Sequence, residues 1–220
     1  MALLSSRVLA ALHRFNAAHP WDHNAHYHRW IMRRLPRRFG RALDIGSGSG
    51  DLVRLLATRA ESVHGVDADP EIVARARRLT DPSAPVSYTV GDALADAPPG
   101  PWDVITCVAA LHHLPFAEAL AHLRERLAPG GTLVVVGCYA ERTATDRLLG
   151  HVSVPLNVAT GWLKNRGRGA PRPDSMTAPT RPPTMSFAEI TDESRGLLPG
   201  ARLRRRLFWR YTLVWRRPAA

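Results

Sequence analysis

The chain has 220 residues, enough for one α/β domain with a full core and some decoration. Its net charge is +11, but Lys164 is the only lysine and alanine and proline are abundant, so the arginines read more simply as GC-rich coding bias than as a nucleic-acid surface. Cys107 and Cys138 lie in apolar runs with no CxxC partner, which argues against zinc and fits reduced, buried thiols in a cytoplasmic protein. No stretch approaches a transmembrane span, residues 1–18 lack the charged and apolar regions of a signal peptide, and no membrane partner is expected.

In chain order, residues 1–18 are mildly amphipathic, with Leu4, Val8, Leu12 and Phe15 at helical spacing. Residues 20–30 are rich in histidine, and residues 1–40 together read as a helical arm. Strand and helix signals then alternate. Strands are expected at 41–45, 62–67, 86–90 and 102–108, and helices at 51–59, 69–79 and 116–127. Asp69-Pro70-Glu71 supplies a helix cap, a proline at the first helical position and a first-turn acid. Ala128-Pro129-Gly130-Gly131 reads as a turn before a nearly all-apolar strand at 132–139. This alternation over 41–140 predicts a parallel sheet with helices on both faces.

Residues 141–185 form an insertion at the carboxyl end of the fifth strand, where a substrate lid would sit. Its first half, 148–163, is apolar and helix-like despite Pro155; its second half, 165–183, is rich in proline, arginine and glycine and is expected to be mobile. Ser186-Phe187-Ala188-Glu189 is a capping box opening a helix to about Leu198. Strands at 201–207 and 210–216 close the sheet within the same domain (186–220), antiparallel to each other across a turn that lacks glycine.

The most informative stretch is Leu43-Asp44-Ile45-Gly46-Ser47-Gly48-Ser49-Gly50-Asp51, a strand entering a glycine turn and then a helix. The spacing is Gly-x-Gly-x-Gly, and Asp51 takes the place of the third glycine of a dinucleotide fingerprint. A carboxylate at Asp44 would repel a pyrophosphate and attract an ammonium or sulfonium, which points to S-adenosylmethionine. Asp67 ends the second strand about 20 residues after the first glycine, where an acid bonds ribose hydroxyls.

With Gly65-Val66-Asp67-Ala68-Asp69, Gly91-Asp92-Ala93, Trp102-Asp103-Val104-Ile105 and Leu127-Ala128-Pro129-Gly130-Gly131-Thr132-Leu133, the chain resembles the class I S-adenosylmethionine-dependent methyltransferases. The resemblance implies a Rossmann-like α/β fold with a seven-stranded, mostly parallel sheet. It implies S-adenosylmethionine as cofactor and S-adenosylhomocysteine as product. It places Asp44 at the methionyl amine, Gly46, Gly48 and Gly50 against methionine and ribose, Asp67 at the ribose, and Ala68, Asp92 and Ala93 at the adenine. Val108 would line the cofactor floor. Asp69 and Asp103 are read as structural.

The arm resembles an element of some small-molecule methyltransferases in which an aromatic closes over the methionine end, with Tyr27 the candidate here. His28 beside it and His113 after the fourth strand are the candidate general bases. No metal site is expected, because the spacing of His19, His23, His26 and His28 matches no zinc pattern. The expected reaction is methyl transfer to an O, N or C nucleophile of a small molecule, plausible in specialised metabolism, and not to a nucleic acid. Two alternatives stay open: an RNA methyltransferase, favoured by the charge and the 202–206 arginine run, and a non-catalytic S-adenosylmethionine-binding partner subunit.

Overall fold

A computed structural model describes residues 6–173, 176 and 181–219, without the side chains of Ser6 and Leu9. Three helices form the arm: α1 (Ser6–Ala18), α2 (His23–His26) and α3 (His28–Met32). There follow β1 (Phe39–Ile45), α4 (Asp51–Ala57), β2 (Ala60–Asp67), α5 (Pro70–Leu79), β3 (Val86–Val90) and β4 (Trp102–Val108). A 3-10 turn (Leu111–His113) leads to α6 (Phe116–Arg126), β5 (Leu127–Cys138), α7 (Ala144–Lys164), α8 (Phe187–Leu197), β6 (Arg202–Arg206) and β7 (Arg210–Arg216).

The seven strands form one sheet in the order β3-β2-β1-β4-β5-β7-β6. β1 to β5 pair in parallel, and β7 runs antiparallel to both β5 and β6. The period-2 alternation of the strands divides the core between the two faces. Leu43, Ile45, Ile105, Cys107, Leu133 and Val135 pack with Leu120 and Leu123 of α6 and Ile190 of α8. Ala42, Val104, Val134 and Val136 pack on the other face with Ile31 and Met32 of α3 and Leu52, Val53 and Leu56 of α4.

The expected caps are present. Asp69 accepts from Glu71 N and Ile72 N at the start of α5, and Ser186 and Glu189 close a capping box on α8. Asp103 is structural, its Oδ2 accepting from Gly40 N (2.9 Å) and Arg41 N (2.8 Å). Two expectations at strand ends need correction. Ala128–Gly131 does not end the element: it lies inside β5, where the β4–β5 register shifts and Gly130 takes φ +75°. The glycine pair that reads as a turn works here as a bulge. The β6–β7 turn places two aromatics in the left-handed region, Phe208 (φ +58°) and Trp209 (φ +59°). Tertiary contacts hold it there: Phe208 N donates to Ser153 Oγ (2.9 Å), and the Phe208 ring packs edge-on against Trp21 (4.8 Å).

Candidate functional site

The glycine turn sits at the carboxyl end of β1, stitched to β2 by Gly46 N and Ser47 N, which both donate to Val66 O (2.8 and 3.0 Å). Its three glycines differ in what they face. A Cβ on Gly46 (φ +68°) would lie 2.2 Å from Ala110 Cβ, and one on Gly50 (φ +77°) 2.2 Å from the Tyr88 hydroxyl. Both are demanded by packing inside the fold. A Cβ on Gly48 (φ +50°) would meet only Ile72 Cδ1, at 4.0 Å, so its main chain faces open space. Asp51, standing where a third fingerprint glycine would be, opens α4 and pairs with Arg54 (2.7 Å).

Two carboxylates lie beneath and beside the turn. Asp44 is 3% exposed and accepts from Thr106 Oγ1 (2.6 Å), its register partner on β4. Burial pushes its carboxyl up to about 7; the Thr106 bond opposes the shift and the Asp67 charge adds to it. Asp67 accepts from Gly48 N (2.8 Å) on one oxygen and from Asp69 N (3.1 Å) on the other. A carboxylate has about four acceptor sites, so two remain. Asp92 is exposed at the end of β3, with one oxygen held by Leu94 N (2.8 Å) and Ala95 N (3.0 Å), which keep its carboxyl below the usual range. Ala68 is exposed; Ala93 and Val108 are half-buried on opposite faces of the sheet.

β4 leaves the sheet through Ala109, whose φ of +53° redirects the chain into the 3-10 turn carrying His112 and His113. Nothing in the sequence marks this residue, because glycine usually fills such a position. His112 lines a cavity of about 190 Å³ with Leu111, Leu114, Phe116, Cys138 and Tyr211, closed by Pro183, Thr184, Met185 and Ile190. Burial pushes the His112 imidazole down to about 4, with His113 adding to the effect, and its Nδ1 is buried without a partner. His113, the sequence candidate, is exposed outside the cavity wall; burial and Arg181 lower its pKa and Asp67 raises it. His28 is lowered by burial and raised by Asp22 and Asp51, the latter at the foot of the glycine turn.

Tyr27, expected to close over the cofactor, is packed and hydrogen-bonded within the fold. It is 5% exposed within the α3–α4 core, donates its hydroxyl to Leu207 O (2.7 Å), and is pushed up to about 12 by burial. The arm histidines are packed too. His23 Nε2 lies 2.7 Å from Asn157 Oδ1, and His26 lies edge-on to Trp21 and Phe208. Among the described residues, no three His, Cys, Asp or Glu side chains gather as metal ligands would. Among the described residues, no helix is long and apolar enough to cross a membrane.

A mostly parallel sheet with a glycine turn at the end of β1 and acids at or just beyond the ends of β2 and β3 is the arrangement of a nucleoside-binding α/β protein. Residues 42–131 match the family model of a methyltransferase domain. The chain is 34% identical over 206 residues to the uncharacterized methyltransferase Rv0089 of Mycobacterium tuberculosis (strain H37Rv), covering 90% of this chain and 98% of that one. It is 36% identical over 114 residues to the ubiquinone biosynthesis O-methyltransferase of Xylella fastidiosa, covering 48% of this chain and 45% of that one. The structure of DhpI in complex with SAH superposes with a TM-score of 0.57 at 21% identity, over 97% of this chain and 94% of that one. The chain belongs to the class I S-adenosylmethionine-dependent methyltransferases. It is an enzyme, and its cofactor is S-adenosylmethionine. The residues present fit that group: bare main chain at Gly48, a buried Ser47 Oγ without a partner, and carboxylates for a cation and for hydroxyls.

Proposed function

We propose that the methyl group goes to a compact small molecule held in the cavity at the carboxyl ends of β4 and β5. The observation that carries this reading is the cavity, about 190 Å³ and walled mainly by apolar side chains. An engineered cavity of roughly 150 Å³ takes benzene, so the space suits a single ring or a short branched chain. Two of the four arginines in the run that favoured RNA are held within the fold. Arg205 bonds Asp146 (2.8 Å) and lies over the Phe187 ring, and Arg206 donates to Thr212 Oγ1 (3.1 Å) and lies over Trp30.

When bound, the cofactor supplies a sulfonium methyl open to in-line attack. In this reading Asp44 and the Gly46–Gly50 main chain hold its methionine end and Asp67 its ribose. Ala68, Asp92 and Ala93 border the adenine, and Val108 forms the floor. His112, neutral because burial holds it at about 4, orients the acceptor and is too weak a base to take its proton. Where the acceptor must lose a proton, His28 and His113 are the candidate bases. To test the acceptor class, the enzyme is incubated with methyl-labelled S-adenosylmethionine, single-ring phenols and amines, and total RNA. Label in an extractable small molecule is expected; label confined to RNA overturns the reading.

For the base, His28→Ala or His113→Ala should lower turnover on the order of a hundredfold with S-adenosylhomocysteine affinity unchanged, and the loss should shrink at high pH. If neither loses more than a fewfold, catalysis rests on positioning alone, and neither histidine is the base.

Asp44 gives a pH signature. Its folded pKa of about 7 lies above the ordinary 3.8, so the folded chain holds a proton that the unfolded chain has released. Its contribution to stability is therefore full below about pH 4 and declines as pH rises toward about 7. A bound cation favours the ionised carboxylate, so cofactor affinity should rise with pH up to about 7 and level off above it. Calorimetry in buffers of different ionisation enthalpy should show proton release below that point, and Asp44→Asn should abolish both effects. The same pH dependence in Asp44→Asn would remove Asp44 from the cofactor site.

A further inference from the structure

α7 is amphipathic in the reverse sense. At 3.6 residues per turn, Asp146, Gly150, Ser153, Asn157 and Gly161 share one stripe, and these five are its buried residues. Leu148, Val152, Leu156 and Leu163 share the opposite stripe and are 63, 42, 39 and 66% exposed; Trp162 beside them is 51% exposed. Surface helices ordinarily turn the apolar stripe inward.

Polar bonds fix this orientation. Asp146 Oδ1 accepts from Arg205 Nε (2.8 Å), Ser153 Oγ from Phe208 N (2.9 Å), and Asn157 Oδ1 from Trp21 Nε1 (2.9 Å). At Gly161 a Cβ would come within 2.5 Å of the His19 carbonyl, so only glycine permits the close approach of helix and arm. The helix cannot roll its leucines inward without breaking all of these contacts.

Charge decides what the bare stripe meets. Arg147, Arg166 and Arg168 are exposed on α7 and just after it, and Arg7 and Arg14 are exposed on α1, which packs beside α7. Asp146 is the only acid between Arg142 and Pro173, and it is buried against Arg205; α1 has none. A second copy of the chain would bring the same arginines and a net charge of +11 against itself. An anionic bilayer offers apolar depth for the leucines, phosphate for the arginines and an interfacial level for the tryptophan.

We propose that α7 is an interfacial docking helix that seats the enzyme on anionic lipid membranes, its Leu148–Leu163 stripe inserted below the headgroups. The absence of a spanning segment, which set aside a membrane partner at the level of sequence, does not bear on a helix lying in the interface. The proposal is independent of the acceptor's identity.

The test is flotation with vesicles of phosphatidylcholine alone and of phosphatidylcholine with phosphatidylglycerol in equal parts. The full chain should float with the mixed vesicles and not with the neutral ones. L148Q/L163Q should weaken that binding on the order of a hundredfold, while S-adenosylhomocysteine affinity stays unchanged because both side chains are already in water. Arg147→Glu with Arg166→Glu should weaken it as well. Three results would overturn the proposal: no flotation; flotation that survives L148Q/L163Q, which would make it a general effect of the net charge; or a dimer in sedimentation that L148Q/L163Q dissolves while vesicles are not bound.

Discussion

Asp67→Ala should weaken S-adenosylmethionine binding by about 1.5–3 kcal/mol, the range for hydrogen bonds to a charged group. That is a loss of roughly 10- to 150-fold in affinity. Two contributions add at this residue. The free acceptor sites of the carboxylate are lost to the ribose hydroxyls, and the Gly48 N and Asp69 N bonds that hold the turn open are lost with them. The upper end of the range is therefore expected. Asp67→Asn, which keeps one acceptor oxygen, should fall between. Titration calorimetry on variants with wild-type thermal stability reads the effect directly, and unchanged affinity in a folded Asp67→Ala would remove the residue from the cofactor site.

Gly46→Ala and Gly48→Ala should fail in different ways, although they are two residues apart in one motif. At Gly46 the new methyl would lie 2.2 Å from Ala110 Cβ with φ at +68°. Left-handed strain costs about 1–3 kcal/mol, and overpacking a tight contact costs about 1–3 kcal/mol more. A lowered melting temperature and poor recovery of folded protein are expected. At Gly48 nothing stands closer than 4.0 Å, so only the strain at φ +50° acts on stability. The methyl would project into the open space proposed for the cofactor, so cofactor affinity should fall while the protein stays folded. Thermal melts and calorimetry on both variants separate the two roles; equal effects on stability would contradict the assignment.

Much of this architecture can be read from residue order, because strand and helix periods, caps and glycine spacing are local signals. β3, β4 and β7 have the expected bounds, and the Asp69 and Ser186 caps are where their side chains require. What could not be read depends on contacts far apart in the chain. Phe208 and Trp209 take left-handed angles because Ser153 and Trp21 hold them. Tyr27 donates to the Leu207 carbonyl, a contact between residues 180 apart in the chain that no local pattern shows. Above all, the apolar spacing of residues 148–163 reveals a helix but not which side faces inward. A lid over the acceptor was the expected use of those leucines, and they point to water instead, because Asp146, Ser153 and Asn157 bond the hairpin and the arm. Among the described residues of the insertion, Pro183–Met185 line the cavity.

The same reasoning limits what a histidine pair reveals. Leu-His-His-Leu is visible at once, yet one imidazole lines the cavity and the other is exposed on the 3-10 turn that follows Ala109. No residue type in the run specifies that turn.

The central claim is that one nucleoside lies across Gly48 and Asp67 with its sulfur facing the cavity of His112 and Cys138. A crystal structure of the enzyme with S-adenosylhomocysteine tests it most directly. The account predicts ribose hydroxyls at hydrogen-bond distance, about 2.7–3.2 Å, from the Asp67 carboxylate, the ligand against the Gly48 main chain, and the sulfur opening toward that cavity. A nucleoside bound elsewhere, or one whose sulfur faces away from the cavity, would contradict it.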